Sequence, residues 1–226
     1  MIKAVIYDLD NTLYDEREYF LSAFRAVSKY ASKSYEMSTS NIYNVLVSLL
    51  DEKGSLYPYL FNDAFTKLGL AYDSKYIERL VSIFHNIQPK LLLYEDAKST
   101  IEELKRRNYR LGLITNGNIK SQKTKVKQLG ISSHFEEIVY CDLYKFEKPS
   151  DEPYRIMLES LNLSPEEAVY VGDNPYVDFY GAKRLGLKTV RLLRGEFCNA
   201  DADKEHESDY SIESHTEIFR ILEGLS

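Results

Sequence analysis

The feature that most constrains how this chain can fold is a series of short apolar segments separated by longer segments of helical pattern. Each short segment is apolar at nearly every position rather than at alternate ones, which is typical of strands covered by helices on both faces. Strands that alternate with helices in this way form a doubly wound, mostly parallel α/β sheet. We predict strands at residues 4–7, 111–114, 137–140, 168–171 and 189–193, with a shorter one at 210–212.

The interval between the first two predicted strands is far longer than a single crossover helix requires. From about residue 15 to residue 90 it contains no convincing strand, and apolar residues recur at spacings of three and four in four separate segments, which predicts four amphipathic helices. Residues 98–107 then form the ordinary crossover helix. We therefore predict an α/β core of residues 1–14 and 91–226, with a helical bundle of residues 15–90 inserted into it.

Apolar spacing and glycine positions predict further helices in the second half of the chain. We expect them at residues 119–129, ending at Gly130, at 154–161, at a segment ending before Gly186, and at 216–222. The first of these helices is rich in lysine, which we interpret as a plain solvated face. Its lysines are Lys120, Lys123, Lys125 and Lys127.

Charge and composition limit the possible partners. The net charge of −6 gives no general attraction to nucleic acid. No apolar stretch approaches the roughly 18 residues that a membrane helix needs, and the short apolar N-terminus is interrupted by Lys3, unlike a signal peptide. The two cysteines lie far apart and the four histidines are scattered, so zinc-ligand spacing is absent. We expect a cytoplasmic protein with neither a nucleic-acid nor a membrane partner.

Two carboxylates follow the first predicted strand. In an extended segment, residues two apart point the same way, so Asp8 and Asp10 face one site while Leu9 faces the core. This pair suits a hard divalent cation, and equally a nucleophile beside a general acid. The pair alone leaves open a helix cap, a calcium loop and a metal-binding site for nucleotide-sugar transfer. A calcium loop is disfavoured because Leu13 stands where an EF-hand requires glycine.

Polar residues also follow the next three strands. Thr115 and Asn116 follow the second strand, Lys148 follows the third, and Asp173 and Asp178 follow the fourth. Taken singly, a tight turn, a solvated lysine and a helix-capping turn would explain them. In open α/β sheets, however, ligands bind beyond the carboxyl ends of the strands. Four such segments in order at one sheet edge therefore indicate one functional site.

Together the four segments resemble the motifs of the haloacid dehalogenase-like hydrolase superfamily, whose members are mostly phosphatases with a Rossmann-like core. The resemblance covers essentially the whole chain, and the inserted helices look like the α-helical cap of the family's first cap class. One departure is that Ser150-Asp151 follows the lysine–proline pair where the family commonly has Asp-Pro, which leaves the start of the next helix uncertain. The matching segments are Asp8-X-Asp10-X-Thr12, Thr115-Asn116, Lys148-Pro149 and Gly172-Asp173 with Asp178.

The resemblance implies a Mg²⁺-dependent phosphatase acting on a small phosphorylated metabolite. Asp8 would be the nucleophile that forms an aspartyl-phosphate, and Asp10 would protonate the leaving oxygen and then activate water. The implied metal ligands are Asp8, the main-chain carbonyl of Asp10, and Asp173.

The remaining motif residues have implied supporting roles. Thr115, the Asn116 amide and Lys148 would bind the non-bridging phosphate oxygens. Asp178 and Thr12 would not bind the metal directly but would support its ligands, and Asp178 would orient water bound to the metal.

Three competing readings remain at this point. A 2-haloacid dehalogenase of the same superfamily needs neither the metal nor the second aspartate, so Asp10 and Asp173 disfavour it. A phospho-receiver signalling module also has an acceptor aspartate, a threonine and a lysine, but it has no reason to carry a large helical insert. A binding protein that only kept the fold is the third.

The substrate is open at the level of sequence, because the cap is expected to choose the leaving group. Phosphoglycolate, nucleotides and sugar phosphates all fit. Tyr57 and Tyr59 suit either a stacking pocket or packing between helices, of which packing is the commoner use. The sequence gives no indication of the oligomeric state.

Overall fold

The computed structural model describes residues 1–225 and divides into two compact units. One unit contains Met1–Glu16 and the chain from Lys90 onward, and the other contains Arg17–Pro89. No helix within residues 1–225 is both long and apolar enough to span a membrane.

The first unit contains a six-stranded sheet in the order β3-β2-β1-β4-β5-β6, with every neighbouring pair parallel. The predicted parallel α/β fold is confirmed, and each strand end lies within one residue of its prediction. Strands β2 and β3 lie on one side of β1, and β4, β5 and β6 lie on the other side. The strand order therefore reverses between β1 and β4. The strands are β1 Ala4–Tyr7, β2 Arg110–Thr115, β3 Glu137–Tyr140, β4 Ala168–Gly172, β5 Lys188–Leu192 and β6 Tyr210–Ile212.

The second unit is helical, and helix α1 begins at the junction with the first unit. Its apolar side chains form one buried cluster rich in aromatic residues. The ring of Phe24 lies 5.8 Å from that of Phe20 and 6.3 Å from that of Phe84. Tyr57 donates a hydrogen bond to Asp63 at 2.8 Å, within this unit. The helices are α1 Glu16–Tyr35, α2 Thr39–Lys53, α3 Leu60–Lys67 and α4 Ser74–His85.

Helices of the first unit cover the sheet, as the continuously apolar strands predicted. All four residues of β1 are fully buried, and Tyr154 and Met157 pack with Ile6 in the core on one face. The helices are α5 Glu95–Arg106, α6 Ile119–Leu129, α7 Cys141–Tyr144, α8 Glu152–Ser160, α9 Pro175–Asp178, α10 Tyr180–Leu185 and α11 Ile218–Gly224.

Local sequence features explain where helices α6, α8 and α11 begin or end. Helix α6 matches its predicted bounds because Gly130 adopts the left-handed conformation (φ 68°) that ends it. Helix α8 begins two residues earlier than predicted, and Pro153 lies in its first turn. Proline is tolerated there because main-chain amides of the first turn have no partner within the helix. Before α11, a single 3₁₀ turn at His215–Glu217 is closed by a capping box between Ser214 and Glu217.

Candidate active site

Three acidic side chains meet where the strand order reverses. Asp8 follows β1, Asp173 follows β4, and Asp178 ends the short helix α9. They are 7%, 2% and 1% exposed, and one oxygen of each lies within 4.8 Å of the others. Such a group of hard oxygen donors is the ligand type that Mg²⁺ and Ca²⁺ prefer.

The turn between β4 and α9 brings Asp178 back toward the strand. Asp178 Oδ2 accepts a hydrogen bond from the main-chain amide of Asn174 at 3.0 Å. The Asn174 side chain in turn caps α9 by accepting from the amide of Tyr176 at 3.0 Å. A Cβ atom at Gly172 would collide with the Asp178 carboxylate. Glycine at this position therefore allows the close approach of Asp178.

Lys148 is buried against these carboxylates. Its Nζ atom donates to Asp8 Oδ1 at 2.5 Å, to Asp178 Oδ1 at 2.7 Å and to the Tyr170 hydroxyl at 2.8 Å. These three acceptors match the three hydrogens of an ammonium group. The side chain of Lys148 is therefore held by three different segments of the chain.

The main chain at Lys148 is held by Asn116. The Asn116 side chain donates to the carbonyl of Lys148 at 2.9 Å and accepts from its amide at 3.0 Å. Thr115, at the end of β2, is buried and donates to the carbonyl of Asn116 at 3.3 Å. The second motif thus positions the third, and any phosphate contact from Asn116 is left to its main-chain amide.

Negative charge exceeds positive charge in this cluster, since one ammonium faces three carboxylates. Burial raises the pKa of Asp8 to about 7; attraction to Lys148 opposes the increase, and repulsion from Asp178 and Asp10 adds to it. Burial also raises the pKa of Asp173 well above its ordinary value, with repulsion from Asp178 and Asp8 contributing. A bound cation would relieve both effects.

The hydrogen bonding of Asp173 fits a metal ligand. Its Oδ1 accepts from the hydroxyl of Thr12 at 3.2 Å, whereas its Oδ2 is buried and has no hydrogen-bond partner among residues 1–225. A buried carboxylate oxygen is rarely left unsatisfied in a native protein. The site therefore fits a divalent cation beside Asp173 and Asp8.

Asp10 lies outside the cluster of three carboxylates and has partners of its own. The Tyr14 hydroxyl and Lys125 Nζ donate to its Oδ1 at 2.5 and 2.6 Å, and Gln122 Nε2 donates to its Oδ2 at 2.7 Å. Lys125 also pairs with Glu16 at 3.1 Å. The structure therefore separates the surroundings of Asp10 from those of Asp8.

The prediction that the lysines of α6 form a solvated face is wrong for Lys125, which is only 3% exposed. Lys123 and Lys127 are exposed, but Lys125 lies between them on the other side of the helix, together with Gln122 and Val126. The signal was present in the sequence, since residues 122, 125, 126 and 129 recur at the three-and-four spacing of a buried helix face.

Tyr170, Tyr154 and His215 also contribute to the site and were not predicted. The Tyr170 hydroxyl donates to Asp178 Oδ1 at 3.0 Å as well as accepting from Lys148, and the Tyr154 hydroxyl donates to the main-chain carbonyl of Asp178 at 2.5 Å. His215 Nε2 lies 2.8 Å from the carbonyl of Thr12. A tyrosine within the apolar run of β4 was a usable signal, because a buried hydroxyl needs a partner.

Comparison with known proteins finds relatives that align over nearly the whole chain. The model of the haloacid dehalogenase-like hydrolase family matches residues 5–192. A glyceraldehyde 3-phosphate phosphatase from Pyrococcus furiosus is 32% identical, covering 98% of this chain and 93% of its own. The corresponding protein of Methanocaldococcus jannaschii is 34% identical, covering 100% and 99%. The crystal structure of a HAD phosphatase from Thermococcus onnurineus aligns with a TM-score of 0.69 at 28% identity, covering 99% of each chain.

The Tyr170 hydroxyl can be tested by its removal. We expect Tyr170→Phe to lower the free energy of unfolding by about 1–3 kcal/mol, because two buried charged groups lose a hydrogen-bond partner. Urea denaturation measures this change. The matched control is Tyr176→Phe. Tyr176 is an exposed residue whose hydroxyl donates to the carbonyl of Asp201, so its removal should change the free energy of unfolding by less than about 0.5 kcal/mol. Equal changes in the two variants would contradict the buried network.

Proposed function

Since this chain belongs to the haloacid dehalogenase-like hydrolases, we propose that it is a Mg²⁺-dependent phosphatase that forms an aspartyl-phosphate on Asp8. Its membership rests on the family match to residues 5–192, and relatives named as phosphatases align over nearly their whole length. The chain is a phosphatase; the metal, the intermediate and the substrate are the proposed parts.

The position of Asp8 is the observation that carries the proposal. Its carboxylate lies beyond the end of a central strand, at the reversal of strand order where ligands bind in open α/β sheets. It is buried beside one ammonium and two further carboxylates. This is the environment that a nucleophile for phosphoryl transfer requires, because that reaction depends chiefly on positioning and on neutralising charge.

In the first step, an Asp8 oxygen bonds to phosphorus while the bond from phosphorus to the leaving oxygen breaks. The Asn116 main-chain amide, Thr115 and Lys148 would donate to the non-bridging oxygens, the latter two by exchanging a hydrogen bond that they make in this structure. Asp10 gives a proton to the leaving oxygen, which receives the electron pair of the broken bond. In the second step, Asp10 takes a proton from water as the water oxygen bonds to phosphorus, and the electron pair of the acyl phosphate bond returns to Asp8.

Mg²⁺ would be held by Asp8, Asp173 and the main-chain carbonyl of Asp10, with Asp178 behind them. When bound, the cation supplies positive charge that offsets the repulsion between a carboxylate and a phosphate dianion. Thr12 donates to Asp173 Oδ1 and so fixes that carboxylate with its unpartnered Oδ2 available as a ligand.

We further propose that the substrate is the phosphate monoester of a small metabolite, with glyceraldehyde 3-phosphate the first to test. Support comes from the two relatives that are named glyceraldehyde 3-phosphate phosphatases and align over nearly all of this chain. Phosphoglycolate, nucleotides and sugar phosphates are the comparison substrates, since they carry the same phosphate group on different leaving oxygens.

Metal removal tests the cofactor. Excess EDTA should abolish phosphate release from glyceraldehyde 3-phosphate while the circular dichroism spectrum stays native, and added Mg²⁺ should restore activity. Mg²⁺ should also raise the melting temperature of the wild type more than that of Asp173→Asn, because the cation stabilises only the folded state with its ligand present. Full activity in chelator would contradict the proposal and favour a 2-haloacid dehalogenase-type reaction.

Lys148 provides a second test. Loss of one donor aimed at transition-state charge lowers the rate by about 10²–10³-fold, so Lys148→Ala should show that decrease in kcat, expressed per folded molecule as measured by circular dichroism. The matched control is Lys145→Ala, three residues earlier, whose side chain is 80% exposed and pairs with Asp142 at 2.8 Å. A decrease of this size in Lys145→Ala without one in Lys148→Ala would show that the third motif has been assigned to the wrong lysine.

A further inference from the structure

Helix α6 supplies two buried polar side chains that converge on the carboxylate of Asp10. We propose that Gln122 and Lys125 are positioning residues for Asp10, holding its carboxylate so that Oδ2 is the oxygen that carries the proton. This inference rests on the proposed function, because it concerns how Asp10 performs its acid and base steps.

The two oxygens of Asp10 have different numbers of donors. Oδ1 accepts from the Tyr14 hydroxyl at 2.5 Å and from Lys125 Nζ at 2.6 Å. Oδ2 accepts only from Gln122 Nε2, at 2.7 Å, among residues 1–225. Each carboxylate oxygen offers about two lone-pair positions. Oδ1 is therefore fully occupied, and Oδ2 retains one position at which a proton can bind.

The orientation of the Gln122 amide is fixed by a second acceptor. Its Nε2 atom donates to the main-chain carbonyl of Asn116 at 2.5 Å as well as to Asp10. A Cβ atom at Gly117 would lie 3.2 Å from this nitrogen, so glycine there leaves room for the amide. Both hydrogens of the Gln122 amide are therefore used, and Gln122 connects the segment after β2 with the segment after β1.

Lys125 performs the corresponding role at Oδ1. It is 3% exposed and contacts the carboxylates of Asp10 and Glu16, so its charge is buried but paired. Burying an ammonium group is costly unless it is paired, and a buried helix face packs readily with apolar residues such as the neighbouring Val126. The stability of the fold therefore gives little reason for a lysine at position 125. The need to fix the carboxylate of Asp10 does give a reason.

The proton transfers explain why orientation matters. In the first step, the O–H bond at Oδ2 breaks and the proton passes to the leaving oxygen. In the second step, Oδ2 accepts a proton from the attacking water. A carboxylate free to rotate would spend part of its time with no oxygen aimed at either group, and such misplacement lowers the rate of proton transfer.

The test compares leaving groups in the Mg²⁺-loaded enzyme. p-Nitrophenolate leaves without help, whereas an alkoxide needs the proton from Asp10. In Gln122→Met and Lys125→Met, the burst of p-nitrophenolate from p-nitrophenyl phosphate should keep its rate within about threefold. The kcat for glycerol phosphate should fall by at least about tenfold, which is part of the roughly 10²–10⁴-fold that acid–base assistance supplies. Steady-state release from p-nitrophenyl phosphate should also fall, since the phospho-enzyme persists without an oriented base.

Two further variants separate positioning from folding damage. Lys127→Met, on the exposed face of the same helix, should behave like wild type with both substrates. Lys125→Arg keeps a donor at this position and should recover most of the alkyl phosphate activity lost in Lys125→Met. Equal loss for the burst and for the alkyl phosphate, or no loss in either, would overturn the positioning role. Absence of any burst or phospho-enzyme in the wild type would instead overturn the proposed function itself.

Discussion

The ion pairs between Lys148 and the carboxylates of Asp8 and Asp178 are the interactions on which the rest of the site depends. They join the segments that follow β1, β3 and β4, while Asn116, after β2, holds the main chain of Lys148 through two hydrogen bonds. Removing one partner of such a buried pair leaves an uncompensated charge, which is strongly destabilising. The sheet brings these segments to one edge, and Lys148 joins them there.

A second lysine serves the other carboxylate of the first motif. Asp8 is bound by Lys148 and lies in the crowded acidic cluster, whereas Asp10, two residues later, is bound by Lys125 and Gln122 from α6. Neighbouring carboxylates would otherwise share similar surroundings and similar chemistry. Placing each beside its own ammonium suits the proposed division of roles, in which Asp8 is a nucleophile next to a cation and Asp10 transfers protons.

The fold was predictable because continuous apolar strands and the spacing of helical residues are local signals. The positions of Asp8, Thr115, Lys148 and Asp173 followed from strand ends meeting at one sheet edge. The partners of Lys148 were not predictable in the same way. Tyr170 within an apolar strand indicates only that its buried hydroxyl needs a partner, and the fold is needed to identify Lys148 as that partner. The start of α8 was missed because Ser150-Asp151 departs from the family pattern there and Pro153 was not counted as a first-turn residue.

Lys125 illustrates a different limit. In the sequence it is one of the four lysines of α6, and a run of like charges on a helix is usually a solvated face. Only the helical spacing of Gln122 and Val126 indicates that it lies on the buried side. The carboxylates of Asp10, after β1, and of Glu16, at the start of α1, make burial of its charge tolerable. A prediction from helix periodicity therefore needs the tertiary partner before it can assign a charged residue to the interior.

The covalent role of Asp8 is the central claim, and trapping of the phospho-enzyme tests it most directly. Wild type, Asp8→Asn and Asp10→Asn would be mixed with labelled p-nitrophenyl phosphate and Mg²⁺, quenched in acid, and the modified residue located by mass spectrometry. The account predicts label on Asp8 in the wild type, longer-lived label on Asp8 in Asp10→Asn, and neither label nor turnover in Asp8→Asn. Label on Asp10 or any other residue, or turnover by Asp8→Asn, would contradict it.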